Sequence, residues 1–425
     1  MRRHHLAGVG IGPFNLSLAA LADGVDGLDA VFFDARPEFR WHPGLLVEGA
    51  TLQVPFLADL VTLVDPTSPF SFLNYLRDRG RLLPFYFAER FHPPRAEYDD
   101  YGRWAAARLP SCRFGHEVTG IRWDGDAFEL TVAGAEPVLA DHVVLGVGSV
   151  PSVPEPLRGL VADPDVLALH SADYLPHREK LLGADSVTVV GSGQSGAEVF
   201  LDLLRSKSTV DGLRWLARTP AFAPMEYSKL GLEQFTPDYT AYFHGLPETV
   251  RDRLLPAQWQ LYKGIDAETI AAIHDELYRR SIAGPPGAVL TPGVEVVSSS
   301  TVEGRIELRV THAQQGRVGT LRTDAVVAAT GYAEAPTGPL LAGLGDAVHR
   351  DGRGRLVVDA GYRVGLDVPG ALYVQNAERH THGPGAPDLG LGAWRAAVIL
   401  NAVCGETVHA LPDRTAFTTF GLEDK

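Results

Sequence analysis

The chain has 425 residues, which is enough for two or three domains with separate hydrophobic cores. Its formal net charge of −14 argues against nucleic acid as a partner, because phosphates need a basic binding face. With two distant cysteines, no apolar signal core and no apolar run of about 18 residues, we expect a cytoplasmic protein without a metal site or a membrane partner.

The chain opens with a pattern that predicts a strand, a glycine-rich turn, a helix and a second strand. The three predicted elements span residues 5–9, 14–22 and 30–33. Gly10 and Gly12 lie in the turn, and Asn15 stands where a third glycine is usual. Asp34 ends the second strand, where an acid accepts hydrogen bonds from a ribose 2′-hydroxyl. We therefore predict a dinucleotide site formed by Gly10, Gly12, Pro13, Asn15 and Asp34.

A second unit of the same kind follows about 180 residues later. Its predicted strand, helix and next strand span residues 186–190, 197–204 and 213–217. The turn between them has a complete GxGxxG pattern, and Arg218 stands where the first unit has an acid. An arginine there suits the 2′-phosphate of NADPH, although a surface arginine beside Arg214 is the plainer alternative. The predicted site consists of Gly191, Gly193, Gln194, Ser195, Gly196 and Arg218.

Two crossover segments indicate that the second unit is inserted into the first. Apolar strands at residues 142–147 and 325–329 are each followed by a proline-containing loop. We predict an α/β fold with two Rossmann-like domains, an FAD domain and an NADPH domain nested within it. The predicted bounds are 1–175 and 335–425 for FAD, 176–219 and 286–334 for NADPH, and 220–285 for a helical substrate-binding region.

Several short runs resemble the flavin-dependent N-hydroxylating monooxygenases of hydroxamate siderophore biosynthesis. These runs are residues 10–16 (GIGPFNL), 41–42 (WH), 52–57 (LQVPFL), 65–69 (DPTSP), 71–73 (SFL), 95–98 (RAEY) with Trp104, 329–332 (ATGY) and 379–383 (RHTHG). They cover nearly the whole chain, and they lie closest to the lysine and diamine N-hydroxylases.

The resemblance implies that NADPH reduces FAD, that O2 adds at the flavin C4a position, and that the resulting hydroperoxide hydroxylates a neutral primary amine. It places Trp41, His42 and Gln53 near the flavin and Arg95 near the nicotinamide or the flavin. Gln53 and Arg95 are the implied catalytic residues. The other implied cofactor contacts are Thr330, Gly331, Tyr332, Asp388 and Leu389.

One departure from the family pattern concerns the substrate. Relatives that hydroxylate amino acids have a lysine for the substrate carboxylate where this chain has Ala58, and Leu232 replaces an asparagine of the ornithine enzymes. A buried carboxylate without partners is unfavourable, so we predict a diamine, cadaverine or putrescine. The amino acid lysine remains an alternative substrate if Lys229 or Lys263 binds its carboxylate instead.

A diamine also needs an acid for its distal ammonium group. The candidate acids are Asp59, Glu233, Asp266 and Asp388, and the predicted substrate site comprises Gln53, Ala58, Glu233, Asp266 and Asp388. A disulfide reductase would need a cysteine pair, whereas a non-catalytic flavin-binding protein stays possible. The expected partners are the amine and O2, and a homo-oligomer, dimer or tetramer, is expected.

Overall fold

The computed structural model describes residues 2–422 as an α/β protein with seventeen strands in that range. The strands are β1 Arg3–Val9, β2 Ala30–Asp34, β3 Cys112–Phe114, β4 Val118–Trp123, β5 Phe128–Val132, β6 Val138–Leu145, β7 Ser149–Pro151, β8 Ala168–His170, β9 Val187–Val190, β10 Leu213–Ala217, β11 Val289–Pro292, β12 Val294–Val302, β13 Arg305–His312, β14 Arg317–Thr323, β15 Ala325–Ala328, β16 Tyr332–Glu334 and β17 Ala371–Val374.

Fifteen α-helices accompany them in the described residues. They are α1 Pro13–Ala22, α2 Phe72–Asp78, α3 Leu82–Ala88, α4 Arg95–Ala106, α5 Glu155–Ala162, α6 Tyr174–Gly183, α7 Gln194–Ser206, α8 Lys229–Leu232, α9 Pro237–Gly245, α10 Glu248–Ala257, α11 Trp259–Tyr262, α12 Ala267–Ser281, α13 Gly338–Leu341, α14 Arg379–His382 and α15 Gly392–Cys404. Within residues 2–422, none of these helices combines the length and the apolar character needed to cross a bilayer.

The first sheet has β1 at its centre, with β2 and β6 parallel to it on either side. Its strand order is β3-β2-β1-β6-β5-β4, and β17 also pairs with β6. Helices α1 and α15 cover one face, where Leu16 and Ile399 are fully buried. Because both faces are covered, the parallel strands contribute buried apolar residues to both, among them Leu6 and Phe32 on one face and Val143 and Leu372 on the other.

The second sheet is entirely parallel, in the order β11-β10-β9-β15-β8. Helix α7 packs on one face, where Phe200 stacks on Trp215, and the antiparallel sheet β12-β13-β14 packs on the other. Strand β8 belongs to this second unit, although the predicted boundary placed all residues up to 175 in the first unit. Strand β8 is too short to show a periodic pattern in the sequence, and its pairing with β15 assigns it here.

The two connections between the units lie side by side. Strands β7 and β16 pair antiparallel, with Ser149 opposite Glu334. The Thr330 hydroxyl donates a hydrogen bond of 2.6 Å to the Ser152 carbonyl, and the Ser152 amide donates one of 2.9 Å to Gly331. The second unit is therefore nested in the first, as predicted.

The helical stretch at 220–285 does not form one separate body. Helix α12 packs on α7 of the second unit, while α9 and α10 pack on α14 of the first unit. We retain residues 220–285 as a proposed substrate-binding region, because its residues form part of the cavity described next.

Candidate active site between two glycine-rich turns

One cavity of about 2630 Å³ joins the two glycine-rich turns. A pocket for one drug-sized ligand has about 300–1,000 Å³, so this cavity has room for more than one large ligand. The predicted site residues that line it are Gly10, Gly12, Pro13, Asp34, Trp41, His42, Gln53, Ala58, Arg95, Gly191, Gly193, Gln194, Ser195, Arg218, Asp266, Thr330, Gly331, Tyr332, Asp388 and Leu389. Three predicted residues, Asn15, Gly196 and Glu233, are not part of its wall.

The first turn brings backbone rather than side chains to the cavity. Gly10 has φ +85°, and a Cβ atom there would lie 2.4 Å from the Gly146 carbonyl oxygen, so only glycine fits. Gly12 is the N-cap of α1, and no atom lies within 4 Å of a Cβ built on it. The free N–H groups of α1 thus face open space in which a pyrophosphate can approach.

Asn15 stabilises this turn from behind and does not contact the cavity, contrary to the prediction of a cofactor contact. Its fully buried side chain donates a 2.7 Å hydrogen bond to the Gly10 carbonyl and accepts one of 2.7 Å from Gln375. The amide therefore takes the place of a third glycine by holding the turn. Gly146, whose Cβ would meet the Asn15 side chain at 2.5 Å, was missed, although it lies within the predicted strand 142–147.

Asp34 ends β2 as predicted, but its carboxylate already has four hydrogen bonds. It accepts from the amides of Ile11 and Arg36, at 2.7 and 2.8 Å, and twice from the Arg36 guanidinium, at 2.9 and 2.7 Å. Burial alone would raise the pKa of Asp34, but Arg36 outweighs it and holds the pKa below its usual value. Arg36, which the sequence pattern missed, lines the cavity and competes with a ribose for Asp34.

The second turn is closed by tight packing at its first and last glycines. A Cβ on Gly191, which has φ +138°, would lie 2.0 Å from the Ala329 carbonyl oxygen, and one on Gly196 would lie 2.7 Å from the Gly191 carbonyl oxygen. Gly196 thus serves helix–strand packing and is not a cofactor contact. Gly193 caps α7, which begins at Gln194, three residues before the predicted start.

Three cations surround the mouth of the second turn. The Arg218 side chain is 80% exposed and lies 3.6 Å from Glu295, while Lys263 and Arg379 both lie 5.6 Å from the centroid of the Tyr262 ring. Burial, and then the charges of Arg379 and Arg218, lower the pKa of Lys263. The cluster provides an anion site of the kind a 2′-phosphate needs, and it places Lys263 at this turn.

We expect Arg218→Ala to raise the KM for NADPH far more than the KM for NADH. Losing a charge-assisted phosphate contact costs about 1.5–3 kcal/mol, which corresponds to tenfold or more. Steady-state kinetics with both coenzymes measure the effect, and Arg214→Ala, on the strand that ends just before Arg218, is the control. Equal effects on both coenzymes would show that Arg218 does not bind the phosphate.

The predicted flavin-side residues form a row of aromatic rings. His42 packs edge-on against Trp41 at 5.1 Å and against Tyr332 at 5.4 Å. Burial, followed by the charges of Arg95 and Arg36, lowers the pKa of His42 to about 4, so the ring is neutral at pH 7. The buried Nε2 of Gln53 and the hydroxyl of Tyr332 have no partner among the described residues. Such orphaned polar atoms in a cavity wall fit the polar edge of a flavin ring.

Arg95 does not project freely towards a nicotinamide or a flavin. Its buried guanidinium donates two hydrogen bonds, of 2.7 and 2.6 Å, to the carboxylate of Glu198 on α7. Arg95 still lines the cavity, at the junction of the two units. Glu198 was missed because the helical pattern of α7 gives no sign of a partner about a hundred residues away.

Two candidate acids for the substrate have other partners, so those predictions are wrong. Glu233 is half-buried and lies outside the cavity wall, where its carboxylate accepts hydrogen bonds from the Phe417 and Thr418 amides, at 3.1 and 2.8 Å. Asp59 accepts from the amides of Val61, Thr62 and Phe72 and holds its own loop.

Asp388 and Ala58 meet in the cavity wall. A Cβ built on Gly390 would lie 2.8 Å from Asp388 Oδ1 and 3.9 Å from Ala58 Cβ, so the three residues are neighbours. Asp388 accepts a 2.7 Å hydrogen bond from the Gly390 amide, and burial raises its pKa to about 6. Asp266 also lines the cavity, but it caps α12 through Thr269 and lies beside the second turn. Asp388 is therefore the acid that fits an ammonium group near Ala58.

The nested sheets and the cavity that joins their two turns define a two-dinucleotide oxidoreductase. The family model described as L-lysine 6-monooxygenase/L-ornithine 5-monooxygenase matches residues 2–334. The chain belongs to this family, which confirms the resemblance found in the sequence.

The chain is 40% identical to a putrescine N-hydroxylase of Shewanella oneidensis, over 98% of this chain and 84% of that protein. The crystal structure of DfoA with FAD, a cadaverine monooxygenase of Erwinia amylovora, has a TM-score of 0.94 and 37% identity, and all of both chains is covered. The ornithine N-hydroxylase KtzI of Kutzneria sp. 744, in complex with reduced FAD, NADP⁺ and L-ornithine, has a TM-score of 0.87 and 29% identity, over 95% of this chain and 99% of that one.

Proposed function

We propose that the protein N-hydroxylates one primary amine of an aliphatic diamine, cadaverine or putrescine, in hydroxamate siderophore biosynthesis. FAD, NADPH and O2 are its cofactors and co-substrate, and we place the reaction in the cytoplasm. The observation that carries this proposal is that Ala58 and Asp388 both adjoin Gly390, so that an apolar position lies near an acid that has no ion-pair partner within residues 2–422. The relatives named for putrescine and cadaverine support the same substrate class.

Each cofactor has its own end of the cavity in this proposal. The α1 N-terminus at Gly12 binds the FAD pyrophosphate, and the α7 N-terminus at Gly193 and Arg218 bind NADPH. When bound, FAD accepts electrons from NADPH and activates O2. Gln53 and Tyr332 orient the flavin ring through their unpartnered polar atoms.

The substrate amine needs two different environments at its two ends. Asp388, ionised above pH about 6, binds the distal ammonium group. The reacting amine must be neutral, although its ordinary pKa is about 10.4. The cavity wall near Ala58 includes Leu57 and Leu389, and such apolar surroundings disfavour the charged amine and so help it lose its proton.

Asp388→Asn should remove the advantage of a second amino group. We expect kcat/KM for cadaverine to fall at least about tenfold, whereas pentylamine, which lacks the distal ammonium, changes little. In the native protein kcat/KM for cadaverine should fall as the pH drops through about 6, because Asp388 then gains its proton. Initial rates over a pH series with both amines measure this, and an unchanged preference for cadaverine would exclude Asp388 as the ammonium site.

The proposed function is tested with cadaverine, putrescine, lysine and ornithine. NADPH consumption should rise with a diamine and match the hydroxylamine formed. Amine-independent consumption that yields only H2O2, or no consumption by a flavin-loaded protein, would favour a non-catalytic flavin-binding protein. Better turnover of lysine than of either diamine would favour a lysine N6-monooxygenase.

We also propose that the protein is a homo-oligomer that associates through α3. None of the seven residues of α3 is buried, and Leu83, Tyr86 and Phe87 are 65%, 71% and 72% exposed. With Phe91, the aromatic side chains alone expose on the order of 400 Å², and a standard interface buries about 800 Å² per partner. Sedimentation of the purified protein tests the proposal, and a monomer at micromolar concentration would contradict it.

A further inference from the structure

A buried ion pair between the two units is formed by Arg95 and Glu198. Arg95 begins α4 in the first unit, and Glu198 lies in the second turn of α7 in the second unit. Their side chains are 11% and 5% exposed, and two hydrogen bonds of 2.7 and 2.6 Å join them. Arg95 also donates a 3.3 Å bond to the Leu45 carbonyl. The guanidinium is thus fixed from both sides.

The same carboxylate also fixes the turn of the second unit. Glu198 Oε1 accepts a 2.8 Å hydrogen bond from Gln194, the first residue of α7 and part of the cavity wall. The Gln194 side chain accepts a 2.7 Å bond from the Asp266 amide and donates one of 3.1 Å to Thr269. One buried acid therefore connects Arg95 with the GxGxxG turn and the start of α12.

We infer that Glu198 is a positioning residue, which sets the distance between the two glycine-rich turns and so between nicotinamide and flavin. A buried ion pair adds little net stability compared with apolar residues of the same size, whereas its geometry is specific. The covalent connections between the units are the two crossovers, whose strands β7 and β16 pair with each other. Electron transfer between two bound rings depends steeply on their approach, so a small rotation of one unit matters. This inference rests on the proposed use of FAD and NADPH.

The test measures how fast NADPH reduces the bound flavin in the absence of O2. We expect Glu198→Gln to slow this step at least tenfold, while its FAD content and its reduction by dithionite stay within twofold of the native protein. Dithionite needs no nicotinamide site, so it separates a misplaced second unit from a damaged flavin site. Glu198→Asp, which keeps the charge but is one methylene shorter, should slow the step as well and serves if the glutamine variant is insoluble.

Asp202→Asn is the matched control on the same helix. Asp202 accepts two hydrogen bonds, of 2.6 and 3.0 Å, from Arg178, but both residues belong to the second unit. The Asp202→Asn variant should have a lower thermal stability than the native protein. NADPH should still reduce its flavin at a rate within twofold of the native rate. A native rate in both Glu198 variants, or equal slowing in Asp202→Asn, would overturn the positioning role. A native protein that NADPH does not reduce would instead contradict the proposed function.

Discussion

Replacing Gly12 with valine is expected to give a folded protein that purifies without its flavin. Apart from its chain neighbours, no residue of the described range 2–422 has an atom within 4 Å of a Cβ at Gly12, so the side chain extends into the space in front of α1. A pyrophosphate on the helix N-terminus would occupy that space. The same change at Gly10 would be less informative, because its backbone has φ +85° and faces the Gly146 carbonyl.

Flavin absorbance per protein, measured after purification and after incubation with FAD, gives the result. Gly120→Val is the control, since Gly120 lies in β4, is equally open at its Cβ position and is not part of the cavity wall. The control should keep its full flavin content. A yellow, fully loaded Gly12→Val protein with native thermal stability would show that the flavin is bound elsewhere.

Introducing a lysine at position 58 is expected to lower kcat/KM for cadaverine and putrescine by at least about tenfold, or 1.4 kcal/mol. Ala58 is 5% exposed and adjoins Gly390 and Asp388. An ammonium group there would pair with Asp388 and repel the distal ammonium of a diamine. It would also provide a partner for an α-carboxylate, so some activity on lysine is expected.

Ala58→Met separates the charge from the bulk of the new side chain. Methionine is similar in length to lysine but carries no charge. Any further loss of kcat/KM in Ala58→Lys compared with Ala58→Met is therefore due to the charge. Product formation with cadaverine, putrescine, lysine and ornithine on all three proteins decides the question. If the native protein prefers lysine, Ala58 does not set the substrate class.

The sequence was sufficient for the nested fold because the evidence for it is local. Each glycine turn lies between a strand and a helix, and Gly10 and Gly191 have the positive φ angles that such turns require. Helix α1, predicted over residues 14–22, spans Pro13–Ala22. Element edges were less accurate, since the first helical residues of α7 belong to the glycine motif itself.

The partners of polar side chains could not be predicted in the same way. Glu233 is engaged by residues near the C-terminus, Arg95 by Glu198, and Asp34 by Arg36. The pairings of Glu233 and Arg95 depend on which distant segment folds against the residue, whereas Arg36 lies only two residues from Asp34. No periodicity in the sequence encodes either kind of pairing. Asp388 was one of four candidate acids among which the sequence could not choose, and the geometry separated it from Asp59, Glu233 and Asp266.

The side-by-side crossovers have a consequence for how such a chain can be assembled. Ser149 and Glu334 face each other on paired strands, so the nicotinamide-side module enters and leaves the host domain through what is topologically a single hairpin. Replacing residues 152–331 with a short turn would join β7 to β16 without stretching the backbone. A domain inserted at such a hairpin leaves the fold of the host domain intact, because the host chain enters and leaves the insertion at adjacent positions.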